Sequence, residues 1–255
     1  MLDDHAIHAA AQLLAQRRLA GTPGPRLPLS CRPSSVDEGL AIQAATAAAL
    51  GDGVGGWKCG LPSAERVVIG PIYRSVIHDA SPCPVWAGQG TVRAEPELAF
   101  VLGRDLPPRA TPYDEAEIDA AVAEARLALE LIDCRYDAPD DAGFPELLAD
   151  GLFNQGLLLG PRVPLAYARR AADLAITLRQ GGEVSPLAGR HPAGLPLAPL
   201  YWLAEFLRGR NMGLQAGQVV ITGSYAGVLT LPLAQPIEIG FGELGQLQAQ
   251  FAARV

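Results

Sequence analysis

Residues 4–20 place Ala and Leu at helical spacing among polar positions and stop at Gly21-Thr22-Pro23-Gly24-Pro25, which predicts an amphipathic helix. A second helix is predicted from Ser35-Val36-Asp37-Glu38, which reads as a capping box, through Leu50, where Gly51-Asp52-Gly53 ends it. From residue 54 the pattern changes to short apolar runs punctuated by Gly and Pro. These predict strands at 54–60, 92–103, 126–134, 156–160, 174–180, 218–222, 235–240 and 246–252. Gly181-Gly182 and Phe241 to Gly245 read as hairpin turns. Helices are predicted at 113–125, started by Thr111-Pro112, and at about 197–208. The expected organisation is an N-terminal helical segment, 1–53, leading into a β-rich catalytic domain, 54–255, with no internal repeat.

Composition narrows the function. A 255-residue chain that is 49% hydrophobic can fill a sizeable core. A net charge of -7 argues against nucleic acid or an anionic membrane as partner and leaves a small molecule. Met1-Leu2-Asp3-Asp4 lacks the basic start of a signal peptide, and the apolar runs fall short of a spanning helix, so a cytoplasmic protein is expected. Cys31, Cys59, Cys83 and Cys134 form no close-spaced pair, which favours reduced thiols over disulfides or a zinc site. Nineteen of the 20 basic residues are arginines, and the exception is Lys58. Arginine-rich coding explains the nineteen; a retained lysine suggests a site that needs a compact ammonium able to exchange its proton.

The candidate chemistry is acidic. In Arg93-Ala94-Glu95-Pro96-Glu97-Leu98 a strand puts Glu95 and Glu97 on one face, and Pro96 marks a place where the ladder opens. Alone, such a pair reads best as a solvated face. Glu130 changes that balance, because it lies inside the apolar run Leu127-Ala128-Leu129-Glu130-Leu131-Ile132, where its charge must be compensated. Clustered carboxylates fit a hard divalent ion, Mg²⁺ or Mn²⁺; a buried partner such as Arg93 or Arg135 is the competing explanation. Lys58, in the Gly-flanked segment Gly55-Gly56-Trp57-Lys58-Cys59-Gly60, could hold a carboxylate or move protons. Asp79 and Asp150 are further acidic candidates in loops, each with a turn or capping role as the alternative, and His78 could serve as acid or base. The strand from Gly217 to Ser224 ends in Thr222 and Ser224, whose hydroxyls could meet an anion.

Several stretches, in order along the chain, carry a resemblance: Glu38-Gly39-Leu40-Ala41-Ile42-Gln43, Gly56-Trp57-Lys58-Cys59-Gly60-Leu61-Pro62-Ser63, Glu95 through Leu102, Ala128 through Arg135, Ala149-Asp150, Trp202-Leu203-Ala204 and Gly217 through Ser224. Together they resemble the hydratase and decarboxylase branch of the fumarylacetoacetate hydrolase superfamily. The resemblance implies an α+β fold, a mixed β-roll with flanking helices. It implies Glu95, Glu97 and Glu130 as metal ligands for Mg²⁺ or Mn²⁺ and Lys58 as an active-site lysine. Lys58 and Asp79 are then the catalytic candidates, and Thr222, Ser224 and Asp150 the substrate-binding ones. The implied activity, in aromatic-compound catabolism, is hydration of a 2-hydroxydienoate or 2-oxoenoate to a 4-hydroxy-2-oxo acid by a homo-oligomer. A 4-oxalocrotonate-type decarboxylase and a non-catalytic scaffold are the alternatives. The histidine-rich apparatus of the carbon–carbon hydrolases is not visible. Two departures stand out: Gly151 where the family has Asn after Asp150, and Gly194-Leu195-Pro196 for its Gly-His-Pro.

Overall fold

The structure is a computed structural model and describes residues 1–64 and 66–254. Helix α1 (Asp4–Ala20) starts where the Asp3 side chain accepts from the Ala6 N–H and ends at Gly21 in the left-handed conformation. Helix α2 (Val36–Leu50) begins at Ser35, whose hydroxyl accepts from the Glu38 N–H, and ends at Gly51. Only that half of the expected capping box forms. The Glu38 carboxylate instead accepts from the Ser34 N–H and the Leu2 N–H, each at 2.7 Å, and so ties the start of α1 to α2. Ala10, Ala11 and Leu14 of α1 pack with Leu27, Ile42, Tyr136 and Ala149 in a core of their own.

The body is a mixed sheet of eight strands: β1 (Val54–Gly60), β2 (Val68–Tyr73), β3 (Ile77–His78), β5 (Thr91–Leu102), β6 (Val122–Ile132), β7 (Asn154–Val163), β10 (Val219–Ile221) and β11 (Leu229–Pro232). Their order is β2-β1-β10-β5-β6-β7-β3, with β11 paired to the first part of β5. The β1–β10 and β3–β7 pairs are parallel and the other pairs antiparallel. Strands β2 and β7 touch although four strands separate them in that order, so the sheet curls into a half-barrel. Gly56 permits one tight seam, since a Cβ there would lie 2.4 Å from the Val219 carbonyl oxygen. A second sheet is formed by β8 (Ile176–Gln180), β9 (Glu183–Leu187), β12 (Ile237–Phe241) and β13 (Gln246–Ala249), with both expected hairpins present. Strands β4 (Cys83–Val85) and β14 (Phe251–Ala253) form a parallel pair.

Side-chain alternation divides the half-barrel into two faces. Leu98, Phe100, Leu127, Leu129 and Val220 turn outward into the main core, together with Leu200, Leu203 and Leu207 of α6 (Ala198–Arg208). Ala99, Ala128, Leu157, Val219 and Ile221 turn inward with Ile72. On β5 and β6 the inward series also contains Glu95, Glu97 and Glu130, so the fold places the acids on the concave face.

Several predicted boundaries move, and the strand expected at 246–252 divides into β13 and β14, which pair with different strands. The helix expected at 113–125 is only α3 (Glu115–Ala121), started by a capping box between Asp114 and Glu117, and Val122 already begins β6. Ladder bonds from β5, reaching Val122 from Leu102, override the helical propensity of Ala123-Glu124-Ala125. Strands β2, β4 and β11 and the short helices α4 (Phe144–Ala149) and α5 (Leu165–Ala168) lack a sequence signal of useful length.

Candidate metal centre and active site

Glu95 and Glu130 face each other directly across the β5–β6 ladder, and Glu97 stands two residues farther along the same face. One oxygen from each of these carboxylates lies within 4.8 Å of the others. Glu97 and Glu130 are 2% and 1% exposed, so the cluster belongs to the interior. Lys58, one strand beyond β10, forms an ion pair with Glu130 at 2.8 Å. The four residues line a cavity of about 290 Å³ whose wall also includes Leu61, Val68, Pro192, Ala193, Thr222 and Ser224.

The electrostatics are unbalanced. Burial first, and then the neighbouring carboxylates, hold Glu97 well above the ordinary carboxylate range and raise Glu95 as well. Burial would lower Lys58, but the facing Glu130, Glu95 and Glu97 outweigh it and hold the ammonium above its usual value. With all three acids ionised, one ammonium would leave two negative charges, and no lysine or arginine other than Lys58 is among the described residues that line the cavity. This donor set, three hard oxygen ligands in a partly open cavity, fits a divalent ion of the Mg²⁺ or Mn²⁺ kind. Neither rival cation is close: Arg93 is exposed, and Arg135 binds Asp150 elsewhere.

The end of β10, which lies between β1 and β5, supplies the adjoining wall. The Gly223 N–H donates to Glu97 Oε2 at 2.7 Å, and a Cβ at Gly223 (φ +135°) would lie 2.7 Å from Pro192 Cγ. Thr222 is backed by His191, a buried residue that sequence patterns do not single out. The Ala193 N–H donates to His191 Nδ1, which leaves the Nε2–H to donate to Thr222 Oγ1 at 3.3 Å. Burial lowers the pKa of His191 to about 4, so the ring is neutral and the Thr222 hydroxyl keeps its own proton to offer to the cavity. Ser224 lines the cavity too, but its hydroxyl donates to the Gly227 carbonyl in a local turn. The only sequence signal for His191 is its place in His191-Pro192, ahead of a predicted helix. Leu195, by contrast, is 55% exposed, so the departure at Gly194-Leu195-Pro196 lies outside the site.

Three sequence candidates are not brought to the cluster: His78, on β3, is not part of the cavity wall, and Asp79 and Asp150 lie elsewhere. Asp79 is exposed, one residue past the end of β3, and borders another cavity with Arg126 and Gln246. Asp150 is 1% exposed and bonded to Arg135 through Nε at 2.7 Å, with Arg18 also against it. It anchors a turn rather than facing the cavity.

That turn is unusual: Gly151, Leu152 and Phe153 have φ of 75°, 51° and 70° in succession. Left-handed geometry costs a non-glycine residue about 1–2 kcal/mol, and two such residues adjoin here. The Gly151 and Leu152 N–H groups cap α4 on the carbonyls of Leu148 and Leu147, and the Asp133 N–H donates to Phe153 O. The turn points the Leu152 carbonyl at Lys58 Nζ, 3.0 Å away. Immediately after it, Asn154 Nδ2 donates to Glu130 Oε1 at 2.9 Å.

Comparison with known proteins bears on the family and the fold. The profile of the fumarylacetoacetate (FAA) hydrolase C-terminal family matches residues 59–252. A 2-keto-4-pentenoate hydratase of Burkholderia vietnamiensis is 29% identical over 264 residues, covering 98% of this chain and 99% of that protein. One from Paraburkholderia phymatum is 28% identical over 265 residues, covering 99% and 100%. The 4-oxalocrotonate decarboxylase from Pseudomonas putida G7, complexed with magnesium and adipate, superposes with a TM-score of 0.76 over 99% of both chains at 19% identity, a likeness of fold. With most of its length inside the family match, and with the curled mixed sheet and N-terminal helices described above, the chain belongs to the fumarylacetoacetate hydrolase family.

Proposed function

We propose that the chain is a metal-dependent hydratase that adds water to a 2-hydroxydienoate or 2-oxoenoate, giving a 4-hydroxy-2-oxo acid. The observation that carries this reading is the buried trio Glu95, Glu97 and Glu130 with Lys58 as its sole ammonium. A magnesium or manganese ion held by the three carboxylates would supply Lewis-acid stabilisation of negative charge on a substrate's 2-oxygen. Lys58 faces the same cavity as an ammonium, so it is placed to attract a substrate carboxylate; once a metal ion takes up the charge of the glutamates, its proton would be loosened for delivery as the dienol becomes the ketone. Thr222 offers a hydroxyl proton from the adjoining wall. Leu61, Val68 and Pro192 give the cavity apolar sides that suit a short hydrocarbon chain.

The lining also bears on the choice between hydratase and decarboxylase. A 4-oxalocrotonate-type substrate brings a second carboxylate, which would call for a second cation. Lys58 is the only lysine or arginine among the described residues that line the cavity. The full-length relatives named as 2-keto-4-pentenoate hydratases support the same choice. The test is loss of dienoate absorbance by purified protein with added Mg²⁺ or Mn²⁺, with the product identified. Replacing both Glu95 and Glu97 by Gln is expected to lower the metal-dependent rate on the order of a thousandfold. Unchanged activity in that variant would end the metal assignment. Release of CO₂ from a 4-oxalocrotonate-type diacid, with no hydration of the monoacid, would end the hydratase reading.

A further inference from the structure

Two donors meet on a single oxygen at the centre of the acidic cluster. Glu130 Oε1 receives Lys58 Nζ at 2.8 Å and Asn154 Nδ2 at 2.9 Å. Neither donor is free to wander, because Lys58 Nζ also donates to Leu152 O and Asn154 Nδ2 also donates to Gly156 O. Both restraints belong to the left-handed turn and the residues directly after it.

Asn154 is fully buried, and its Oδ1 has no hydrogen-bond partner among the described residues. A buried amide oxygen left unpaired is unfavourable, and turning the amide over would set that oxygen against the Glu130 carboxylate. The side chain thus remains half satisfied so that its NH₂ group can face Glu130. The frame behind it is equally particular. Arg18 Nη1 and Arg135 Nη2 each donate to the Asn154 carbonyl at 2.9 Å, and Arg135 is locked by Asp150. Arg18 lies on α1, outside the residues that match the family, so the N-terminal helices reach the acidic cluster through this carbonyl.

We propose that Asn154 is the positioning residue of the metal centre. By donating to Oε1 it fixes the Glu130 carboxylate, and together with Lys58 it saturates that oxygen, so that Oε2 is the one presented to a divalent cation. The 151–153 turn, held by Arg18 and Arg135, is the frame that keeps Asn154 in place. The proposal rests on the metal-centre reading above. Partners that orient a metal ligand are typically worth about 10- to 100-fold in metal affinity.

The test is titration of the full chain with Mn²⁺, following free Mn²⁺ by electron paramagnetic resonance, for the unaltered protein, Asn154→Leu and Asn154→Ser. Leucine matches asparagine in shape without the donor. Serine is too short to reach Glu130 and small enough to fold should leucine prove too bulky. Both variants are expected to bind Mn²⁺ about 10- to 100-fold more weakly. Saturating Mn²⁺ should bring kcat back to within several-fold of the unaltered value, because the three ligands remain. Unaltered Mn²⁺ affinity in the variants overturns the proposal and leaves the metal centre standing, as does a loss of kcat that saturating Mn²⁺ does not repair. An unaltered protein that binds no Mn²⁺ overturns the metal-centre reading itself, and this proposal with it.

Discussion

The N-terminal layer and the concave face of the sheet both bury carboxylates, and they treat them in opposite ways. Glu38 accepts backbone N–H groups from Ser34 and Leu2, Glu146 pairs with Arg26 and Arg32, and Asp150 pairs with Arg135 and Arg18. Each of these acids has N–H donors or a guanidinium set directly against it. Glu95, Glu97 and Glu130 crowd together with one ammonium between them, and their surroundings oppose ionisation of Glu95 and Glu97. The first arrangement holds elements together; the second is unfavourable until a cation arrives, which is the mark of a site kept for chemistry.

The comparison can be broken in four places. Lys58→Met removes the only ammonium of the second group and should lower the hydration rate about 10²- to 10⁴-fold, read from steady-state kinetics at saturating metal. A loss below tenfold would detach Lys58 from proton transfer. Asp150→Asn strips a buried guanidinium of its charge partner and should lower unfolding free energy by about 3–5 kcal/mol in urea titration. A near-neutral result would mean that Asp133 and the Asp150 and Asn154 carbonyls suffice to hold Arg135.

Glu38→Gln weakens two charge-assisted bonds, one from Leu2 at the start of α1 and one from Ser34 just ahead of α2, and should cost about 1.5–3 kcal/mol. Its pKa is pulled down to about 2, chiefly by the Ser34 N–H. A depressed carboxylate stabilises the fold above its unfolded pKa, and that contribution is lost as pH falls from about 4.5 toward 2. The variant should therefore flatten the acid limb of the stability curve. Glu97→Gln should do the reverse. A raised carboxylate makes folding take up a proton, so metal-free stability falls as pH rises above the ordinary carboxylate range through the raised value. Removing that charge should make the metal-free protein slightly more stable at neutral pH and abolish the rise in Tm on adding Mn²⁺. A variant that is less stable and still raises its Tm with metal would place Glu97 among the structural acids.

Short-range patterns along the chain carry much of this fold and site. Local signals end α1 and α2 at Gly21 and Gly51, set both hairpins, and put Glu95 and Glu97 on one face because side chains two apart in a strand must agree. Lys58 and Glu130 stand out by contrast with their neighbours, a lone lysine among arginines and an acid in an apolar run. What stays hidden is non-local. The segment 122–125 has helical composition and becomes strand only because β5 lies beside it. Asp79 and Asp150 resemble any other loop acids in the sequence, and only the fold sends one to the surface and the other to Arg135. His191 gives no periodic signal, since its role depends on a threonine 31 residues away in the chain.

Residue type and spacing by themselves determined where α1 and α2 stop and that Glu95 and Glu97 share a strand face, because those depend on neighbours within a few positions. The tertiary structure alone decided that Glu130 sits opposite Glu95, that Asn154 rather than Asp150 reaches the cluster, and that a strained turn anchored from α1 holds it there. Ladder register and buried ion pairs join residues far apart in the chain, and no local pattern encodes them.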